Sequence, residues 1–398
     1  MQLRLCVSTV VLVAACSEAA PTPASTSTPT APPPPAAKPA QPAPVPEPEP
    51  VPAGPPVVRA IAAGTDHTCM LLSDTTVRCL GVNTDGQLGV PDDTPHRTPP
   101  PIPGLRGVTA LALGDDFSCA VLEDRTVKCW GNGSFGQLGA GPLPDVLPSP
   151  LVAVKNLAGV RSLDAGDWHA VAVLETGDAV FWGRNNVGQF ADGSEEDRDV
   201  PTPSSSVTAF RKLALGGFHG CSLAQDGSAK CWGWNEYGQL GDGTAGKDVV
   251  RRAPVTVVGL TGAQDLALGE NHSCALLADS TVRCWGSNEH GQLGNDARAD
   301  SKTPVAVKDL TGVTELIAGG YHNCARLGDD TVRCWGANGD GQIGDAKTQD
   351  RRTPTAVLEL GPARQLAAGH HHTCALLKDD SVWCWGARAS ARPIRVSL

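Results

Sequence analysis

Short runs of apolar and β-branched residues recur along most of the chain, and glycine, aspartate or proline bounds each run. Within residues 303–344 the runs are Pro304–Val307, Val313–Ala318, Asn323–Leu327 and Thr331–Trp335. Threonine, valine and cysteine alternate at a period of two, and glycines recur too often for stable helices. The pattern therefore predicts four short strands in this stretch.

This pattern occurs seven times. In most copies a glycine lies three residues before a histidine, and we call it the landmark glycine: Gly64, Gly114, Gly166, Gly216, Gly269, Gly319 and Gly369. A β-rich repeat of about fifty residues is typical of a propeller. We predict an all-β, seven-bladed β-propeller of four-stranded blades over residues 57–398. Because Pro393–Val396 matches the pattern of Pro304–Val307, we expect the C-terminal strand to complete the first blade and close the ring.

Twelve cysteines form pairs whose members are ten residues apart: Cys69 and Cys79, Cys119 and Cys129, Cys221 and Cys231, Cys274 and Cys284, Cys324 and Cys334, and Cys374 and Cys384. In a hairpin with a three-residue loop, such as Gln225-Asp226-Gly227, residues ten apart face each other at disulfide distance. The third copy lacks both cysteines and has Val171 and Phe181 instead, as paired bonding predicts. Zinc coordination, the alternative, expects closer spacings. Six disulfides indicate an oxidising compartment.

The N-terminal region indicates export. Residues 1–15 combine Arg4 with an apolar run too short to span a bilayer, which is typical of a signal peptide. The sequence "VAAC" ending at Cys16 resembles the bacterial lipobox, which implies lipidation of Cys16; an ordinary secretory signal is the alternative. Ser17 then favours the outer membrane, with the protein periplasmic or surface-exposed. Residues 16–56 are rich in Pro, Ala and Thr and predict a disordered, extended tether.

Composition and motifs exclude several function classes. The formal net charge is −10 without a cluster of Lys or Arg, so nucleic acid is not an expected partner. The chain has no nucleophile elbow, no phosphate-binding Gly-Lys loop and no His-Glu-x-x-His motif. We therefore expect no catalytic residues, no cofactor and no metal, and a monomer that touches a membrane only through its lipid anchor.

Two ring-bearing positions repeat in nearly every copy. Histidines follow the landmark glycine at His67, His169, His219, His272, His322 and His372, with Phe117 in the second copy. Residues repeated in this way are spread around a ring, so we expect each histidine to bond to the backbone of its own blade rather than to share a metal ion; the His370–His372 triple is the alternative metal site. The tryptophans of the repeated Trp-Gly pairs are expected to pack between blades.

The repeat "H-x-C-A-L-L … T-V-x-C-W-G-x-N-x-x-G-Q-L-G" is similar to the regulator of chromosome condensation repeat, a family of seven-bladed propellers. Residues 238–241 and 291–294 match "GQLG" fully, and residues 188–191 depart from it. The family's founding member is a guanine nucleotide exchange factor, which the resemblance makes the alternative function. The even spacings leave no room for the inserted wedge on which that exchange depends. A β-lactamase inhibitor protein of the same propeller family binds its target through aromatic loops, so a protein inhibitor of that kind is a second alternative function that the resemblance implies.

Two loop positions vary from copy to copy while the residues around them repeat. One is the residue two after the landmark glycine, and the other is the residue directly before the GQLG-type sequence. In a four-stranded antiparallel blade their loops emerge on the same face, so we expect one surface that carries seven candidate binding residues: Trp168, Phe218, Tyr321, His371, Phe135, Tyr237 and His290. Large aromatic side chains at loop tips are typical anchors of protein interfaces. The sequence therefore predicts a non-catalytic, surface-tethered module that binds an unidentified protein or glycan.

Overall fold

The computed structural model describes residues 54–143, 151–387 and 390–398, and these residues form seven antiparallel sheets. The predicted signal peptide, Cys16 and most of the predicted tether lie outside the described residues. The described part is an all-β, seven-bladed propeller, as predicted, and we number its blades 1 to 7 along the chain. Within it, no helix is long and apolar enough to cross a membrane.

The strands are short and regular. Blades 1 to 4 contain β1 (Val58–Ala63), β2 (His67–Leu72), β3 (Val77–Gly81); β4 (Val108–Leu113), β5 (Phe117–Leu122), β6 (Val127–Gly131), β7 (Val152–Ala153); β8 (Val160–Ala165), β9 (His169–Leu174), β10 (Ala179–Gly183), β11 (Arg198–Pro203); β12 (Lys212–Leu215), β13 (His219–Leu223), β14 (Ala229–Trp234) and β15 (Val250–Thr256). Blades 5 to 7 contain β16 (Ala263–Leu268), β17 (His272–Leu277), β18 (Val282–Gly286), β19 (Ser301–Ala306); β20 (Val313–Ala318), β21 (His322–Leu327), β22 (Val332–Gly336), β23 (Arg351–Ala356); β24 (Ala363–Ala368), β25 (His372–Leu377), β26 (Val382–Gly386) and β27 (Ser390–Arg395). In blade 1, the bridges Arg78↔Pro101 and Gly81↔His96 stand where the other blades have an outer strand.

The predicted closure of the ring by strand exchange is wrong. β27 pairs with β26 of its own blade, with Cys384 opposite Ile394, and does not complete blade 1. The strand before each landmark glycine is the innermost strand of its blade. Pro304 and Val305 belong to β19, which is the outer strand of blade 5 and not the first strand of blade 6. Side chains close the seam instead: the Gln365 amide bonds to both the N–H and the C=O of Ile61.

Each blade presents two kinds of loop on opposite faces. The loops after the first and third strands lie on one face, which we call the loop face; the hairpin turns between the second and third strands lie on the other, the hairpin face. β1 begins and β27 ends at the hairpin face, where the Val57 N–H donates to Ser73 of the first hairpin turn. Both ends of the propeller therefore lie opposite the loop face.

The hairpins place the cysteines as predicted. The two members of each pair are directly opposite across the two central strands of a blade, with a Cα–Cα distance of 4.1 Å. In blade 3 Val171 is opposite Phe181, and both are buried. The six disulfides join Cys69 to Cys79, Cys119 to Cys129, Cys221 to Cys231, Cys274 to Cys284, Cys324 to Cys334, and Cys374 to Cys384.

The hairpin loops have three residues, also as predicted. In blade 4 a hydrogen bond from the Ala224 N–H to the Ser228 carbonyl closes the loop. Gly227 takes the left-handed conformation there, but Thr75 and four other non-glycine residues do so in the equivalent turns. Glycine is therefore not a requirement of this turn.

The hydrophobic core lies between neighbouring blades. The six tryptophans before glycine are fully buried, and each donates its indole N–H to the glutamine carbonyl of the preceding blade's GQLG-type loop, as Trp130 does to Gln87 at 2.9 Å. The landmark glycines form the innermost seam. A Cβ on Gly369 would lie 2.2 Å from the Gly64 carbonyl oxygen, so a side chain cannot fit there.

The histidines join blades rather than loops within one blade, which corrects the prediction. The Nε2 atom of His67 lies 2.8 Å from Ser118 Oγ in the next blade, and the pairs His219–Ser273, His272–Asn323, His322–Thr373 and His372–Thr68 repeat the contact. Phe117 occupies the position in blade 2, where the next blade offers Ala170. His169 faces Gly220 instead, and in the described part of the chain neither of its ring nitrogens has a hydrogen-bond partner.

Candidate functional site

Backbone hydrogen bonds hold pairs of loops together on the loop face. The residue after each Trp-Gly pair donates its N–H to the carbonyl of the residue two after the landmark glycine, as Arg184 does to Trp168 at 2.9 Å and Trp234 to Phe218 at 3.0 Å. This contact places the side chains of the two loops side by side. Glycine at the Trp-Gly position is required, because a Cβ on Gly183 would lie 2.5 Å from the Trp168 carbonyl oxygen.

Five of these loop side chains form a continuous line, which we call the aromatic row: Phe135, Trp168, Phe218, Trp234 and Tyr237. Successive ring centroids are 6.1, 5.4, 5.7 and 5.9 Å apart, and three of the four contacts are edge-to-face. All five residues are half-buried. The row extends over blades 2 to 4, so its members approach from different blades and are held in place by the rigid loops beneath them.

Arg184 covers one end of the aromatic row. Its guanidinium carbon lies 4.6 Å from the ring centroid of Phe135 and 4.9 Å from that of Trp168. Such cation–π contacts contribute about 0.5–1 kcal/mol each at exposed sites. The faces of these two rings are therefore occupied by a cation of the chain itself.

Trp234 and Arg184 were not among the residues singled out from the sequence. Both occupy the position directly after Trp-Gly, which is Val82, Asn132, Ser287, Ala337 and Ala387 in the other blades. This position varies from copy to copy while the repeat around it is constant, and the same observation identified Trp168 and Phe218 from the sequence. The variation could therefore have identified Trp234 and Arg184 as well.

The remaining predicted residues lie on the same face in two separate pairs. Tyr321 and His290 have ring centroids 5.7 Å apart, and His290 Nδ1 lies 3.0 Å from an Asp350 carboxylate oxygen. His371 Nδ1 lies 3.2 Å from Asp340. The structure thus brings Trp168, Phe218, Phe135 and Tyr237 together and places Tyr321, His290 and His371 farther around the ring.

Carboxylates occupy the loop face at the boundary between blades 1 and 2. Burial, together with the charges of Asp115, Asp85 and Asp66, raises the pKa of Asp116 to about 7. A neutral amide is its hydrogen-bond neighbour: Gln87 Nε2 donates to Asp116 at 3.3 Å. Neighbouring carboxylates thus repel one another in this sector, and Asp116 is only partly ionised at neutral pH.

The central channel has a volume of about 810 Å³. Four polar residues that directly follow landmark glycines line it: Thr65, Asp167, Glu270 and His370. His370 of blade 7 reaches Asp167 of blade 3 at 3.3 Å. Although burial disfavours its charged form, the bond to Asp167 and the charges of Glu270 and Asp115 raise the pKa of His370 to about 9. His370 is thus an internal cation among carboxylates.

Among the described residues, no group of three or more His, Cys, Asp or Glu side chains is arranged to hold a metal ion. The repeated histidines each lie against the next blade, and burial lowers their pKa values to about 3 or 4. They are therefore neutral groups inside the fold at ordinary pH.

Comparisons with known proteins agree with this repeat. A family model described as "RCC1-like domain" matches residues 25–325. The chain belongs to the RCC1-like domain family. Models of the regulator of chromosome condensation (RCC1) repeat also match residues 314–342 and 329–376. The resemblance inferred from the repeated motif is thereby confirmed at the level of the family.

Two curated proteins match parts of the chain. The ultraviolet-B receptor UVR8 of Arabidopsis thaliana is 30% identical over 144 residues, which is 36% of this chain and 33% of the receptor. The human probable E3 ubiquitin-protein ligase HERC4 is 48% identical over 137 residues, 34% of this chain and 13% of the ligase. The chain therefore spans a third or less of these relatives. Yeast RCC1 (Prp20), solved with Kap60, superposes with a TM-score of 0.72 at 20% identity, covering 86% of this chain and 85% of that one.

Proposed function

We propose that this RCC1-like propeller is a non-catalytic module that binds a partner protein through the aromatic row. The observation that carries the proposal is the uninterrupted contact of five aromatic side chains from Phe135 to Tyr237 on one face. Half-buried tryptophans and tyrosines that rigid loops hold in place give large contact area at low entropic cost.

The arrangement of the rings supports a protein partner over a glycan. Neighbouring rings meet at interplanar angles of 55° to 83°, so each ring partly covers the next and the row forms one ridge. A sugar stacks best on a flat, open ring, whereas a ridge of this kind fits the apolar centre of a protein interface.

Site-specific photocrosslinking tests the proposal. A benzoyl-phenylalanine placed at Val187, in the loop that also carries Arg184, should crosslink to a protein in the source cells, and the same group at Thr176 on the hairpin face should not. The adduct should disappear in the triple variant that combines Trp168→Ala, Phe218→Ala and Trp234→Ala. The variant Trp383→Ala removes a half-buried aromatic ring elsewhere and serves as the control. Equal crosslinking from both faces, or an adduct that survives the triple variant, would contradict the proposal.

We further propose that the protein is exported and held at the bacterial outer membrane through a lipid on Cys16. The "VAAC" sequence, the apolar run before it and the six disulfides support this location. Labelling with an alkyne palmitate analogue should mark the wild type and not Cys16→Ser. Labelling of both forms, or of neither, would contradict lipidation at Cys16.

A further inference from the structure

Carboxylates adjoin the aromatic row at its blade-2 end. Asn132, in the same loop as Phe135, donates its side-chain N–H to Asp85 at 2.8 Å, and Asp85 acts on Asp116 through its charge. Both carboxylates are half-buried and accept hydrogen bonds from neutral amides. A chain segment that lies along the row and continues past Phe135 would therefore reach this carboxylate sector.

The other end of the row is flanked in the same way. Tyr237 has its pKa raised first by burial and then by the charges of four neighbouring carboxylates, which are Glu236, Asp300, Glu289 and Glu270. Glu289 and Asp300 are exposed. The row thus has carboxylate side chains near both of its ends.

The cations near the row do not balance these carboxylates. Arg184 lies over the rings of Phe135 and Trp168. Lys302 lies beside Gly238 at the outer edge of the row, and the Lys247 carbonyl accepts a hydrogen bond from the Trp234 indole at 3.5 Å. Three further cations are paired with carboxylates: Arg252 with Glu195, Arg251 with Asp242 and Arg198 with Glu196. His370 and His371 are paired with Asp167 and Asp340. The formal net charge of −10 for the whole chain has the same sign.

We propose that the partner of the aromatic row is a basic protein segment, with an aromatic or aliphatic anchor on the row and lysine or arginine side chains on the flanking carboxylates. This inference rests on the proposed function and specifies its partner. Burial of the anchor supplies the affinity, and the flanking charges supply orientation and rate of association. Arg184 already lies over the faces of Phe135 and Trp168, so the basic side chains of the partner would pair with the carboxylates beyond that end of the row.

Selection from a random dodecapeptide phage library on the full, disulfide-bonded chain tests this inference. Selected peptides should be enriched in Lys or Arg next to an aromatic or aliphatic residue. A representative peptide should bind about tenfold more weakly to the variant that combines Asp66→Asn, Asp85→Asn and Asp116→Asn, and more weakly at 500 than at 50 mM salt, because exposed charge pairs are screened. The matched control combines Glu123→Gln, Glu175→Gln and Asp309→Asn, which removes three carboxylates near the hairpin face, and should bind within twofold of wild type.

Failure of the inference is distinguishable from failure of the proposed function. Neutral or acidic peptides that need Trp168, Phe218 and Trp234 would overturn the basic partner and leave the aromatic site in place. Absence of any peptide that depends on those three residues would overturn both. Self-association of the wild type that the triple alanine variant abolishes would also overturn the inference, because it would make a second copy of this acidic chain the occupant.

Discussion

His169 offers a direct test of how histidines join the blades, because it is the one that lacks a hydrogen-bond partner among the described residues. Its ring is fully buried, and the facing position in blade 4 is Gly220, where a Cβ would lie 2.8 Å from the Trp232 ring. A buried polar group without a partner costs about 1–3 kcal/mol. We therefore expect His169→Phe to leave the free energy of unfolding unchanged or to raise it by about 1 kcal/mol, since Phe117 already fills the equivalent site in blade 2.

The matched variant is His219→Phe, which removes a 2.8 Å contact with Ser273 Oγ. Ser273 keeps its bond to the Gln239 carbonyl, so the expected loss is that of one buried hydrogen bond, about 1–2 kcal/mol. Urea unfolding of both variants with disulfides intact measures the difference, provided that the m-value stays constant. If His169→Phe were destabilised as much as His219→Phe, the conclusion that the buried His169 ring lacks a hydrogen-bond partner would be refuted.

Three further predictions concern the whole ring. The six buried histidines have pKa values lowered from 6.5 to about 3 or 4, so their contribution to stability is complete above pH 6.5 and is lost as the pH falls toward 4. His370 has a raised pKa and acts in the opposite sense, so its contribution is lost as the pH rises through about 9. Thermal melts between pH 4 and 8 check this, and a melting temperature that does not fall below pH 6 would contradict it. Replacing Cys274 and Cys284 by alanine should cost about 2–3 kcal/mol, since the bond closes a short loop; a cost near zero in urea unfolding would show that the denatured chain is not constrained by it. Gly369→Ala should destabilise the protein by more than about 3 kcal/mol because its Cβ meets the Gly64 carbonyl, whereas Gly339→Ala, with open space around it, should change little; equal melting temperatures for the two would count against a tightly packed seam.

The hairpins could be predicted from the sequence because residue types alternate at a period of two along each strand. A period of two and a three-residue loop fix which residues face each other, so the cysteine pairs and the Val171–Phe181 replacement could be placed without coordinates. The repeated loop positions of Trp168 and Phe218 followed from the same frame. These inferences needed contacts only within one repeat.

Contacts between repeats were harder to predict. A repeating pattern does not show where one blade ends and the next begins, so Pro304–Val307 could belong to the blade after it or to the blade before it. Only the hydrogen bonds across the sheet show which blade contains this strand. At the chain ends the wrong choice led to the incorrect prediction that the C-terminal strand completes blade 1. The histidine partners lie 51 or more residues away, in the next copy. A signal was nevertheless present, because Phe117 replaces histidine in the blade that precedes Ala170.

The position of the chain ends has a practical consequence. β1 starts and β27 finishes on the hairpin face. A fusion partner, affinity tag or sensor chip attached after Leu398 would therefore lie on the hairpin face, opposite the loop face. Immobilisation at that end would give every molecule the same orientation, with Trp168, Phe218 and Trp234 directed toward the solution. Kinetic measurements on such a surface would report on the aromatic row without steric interference from the support.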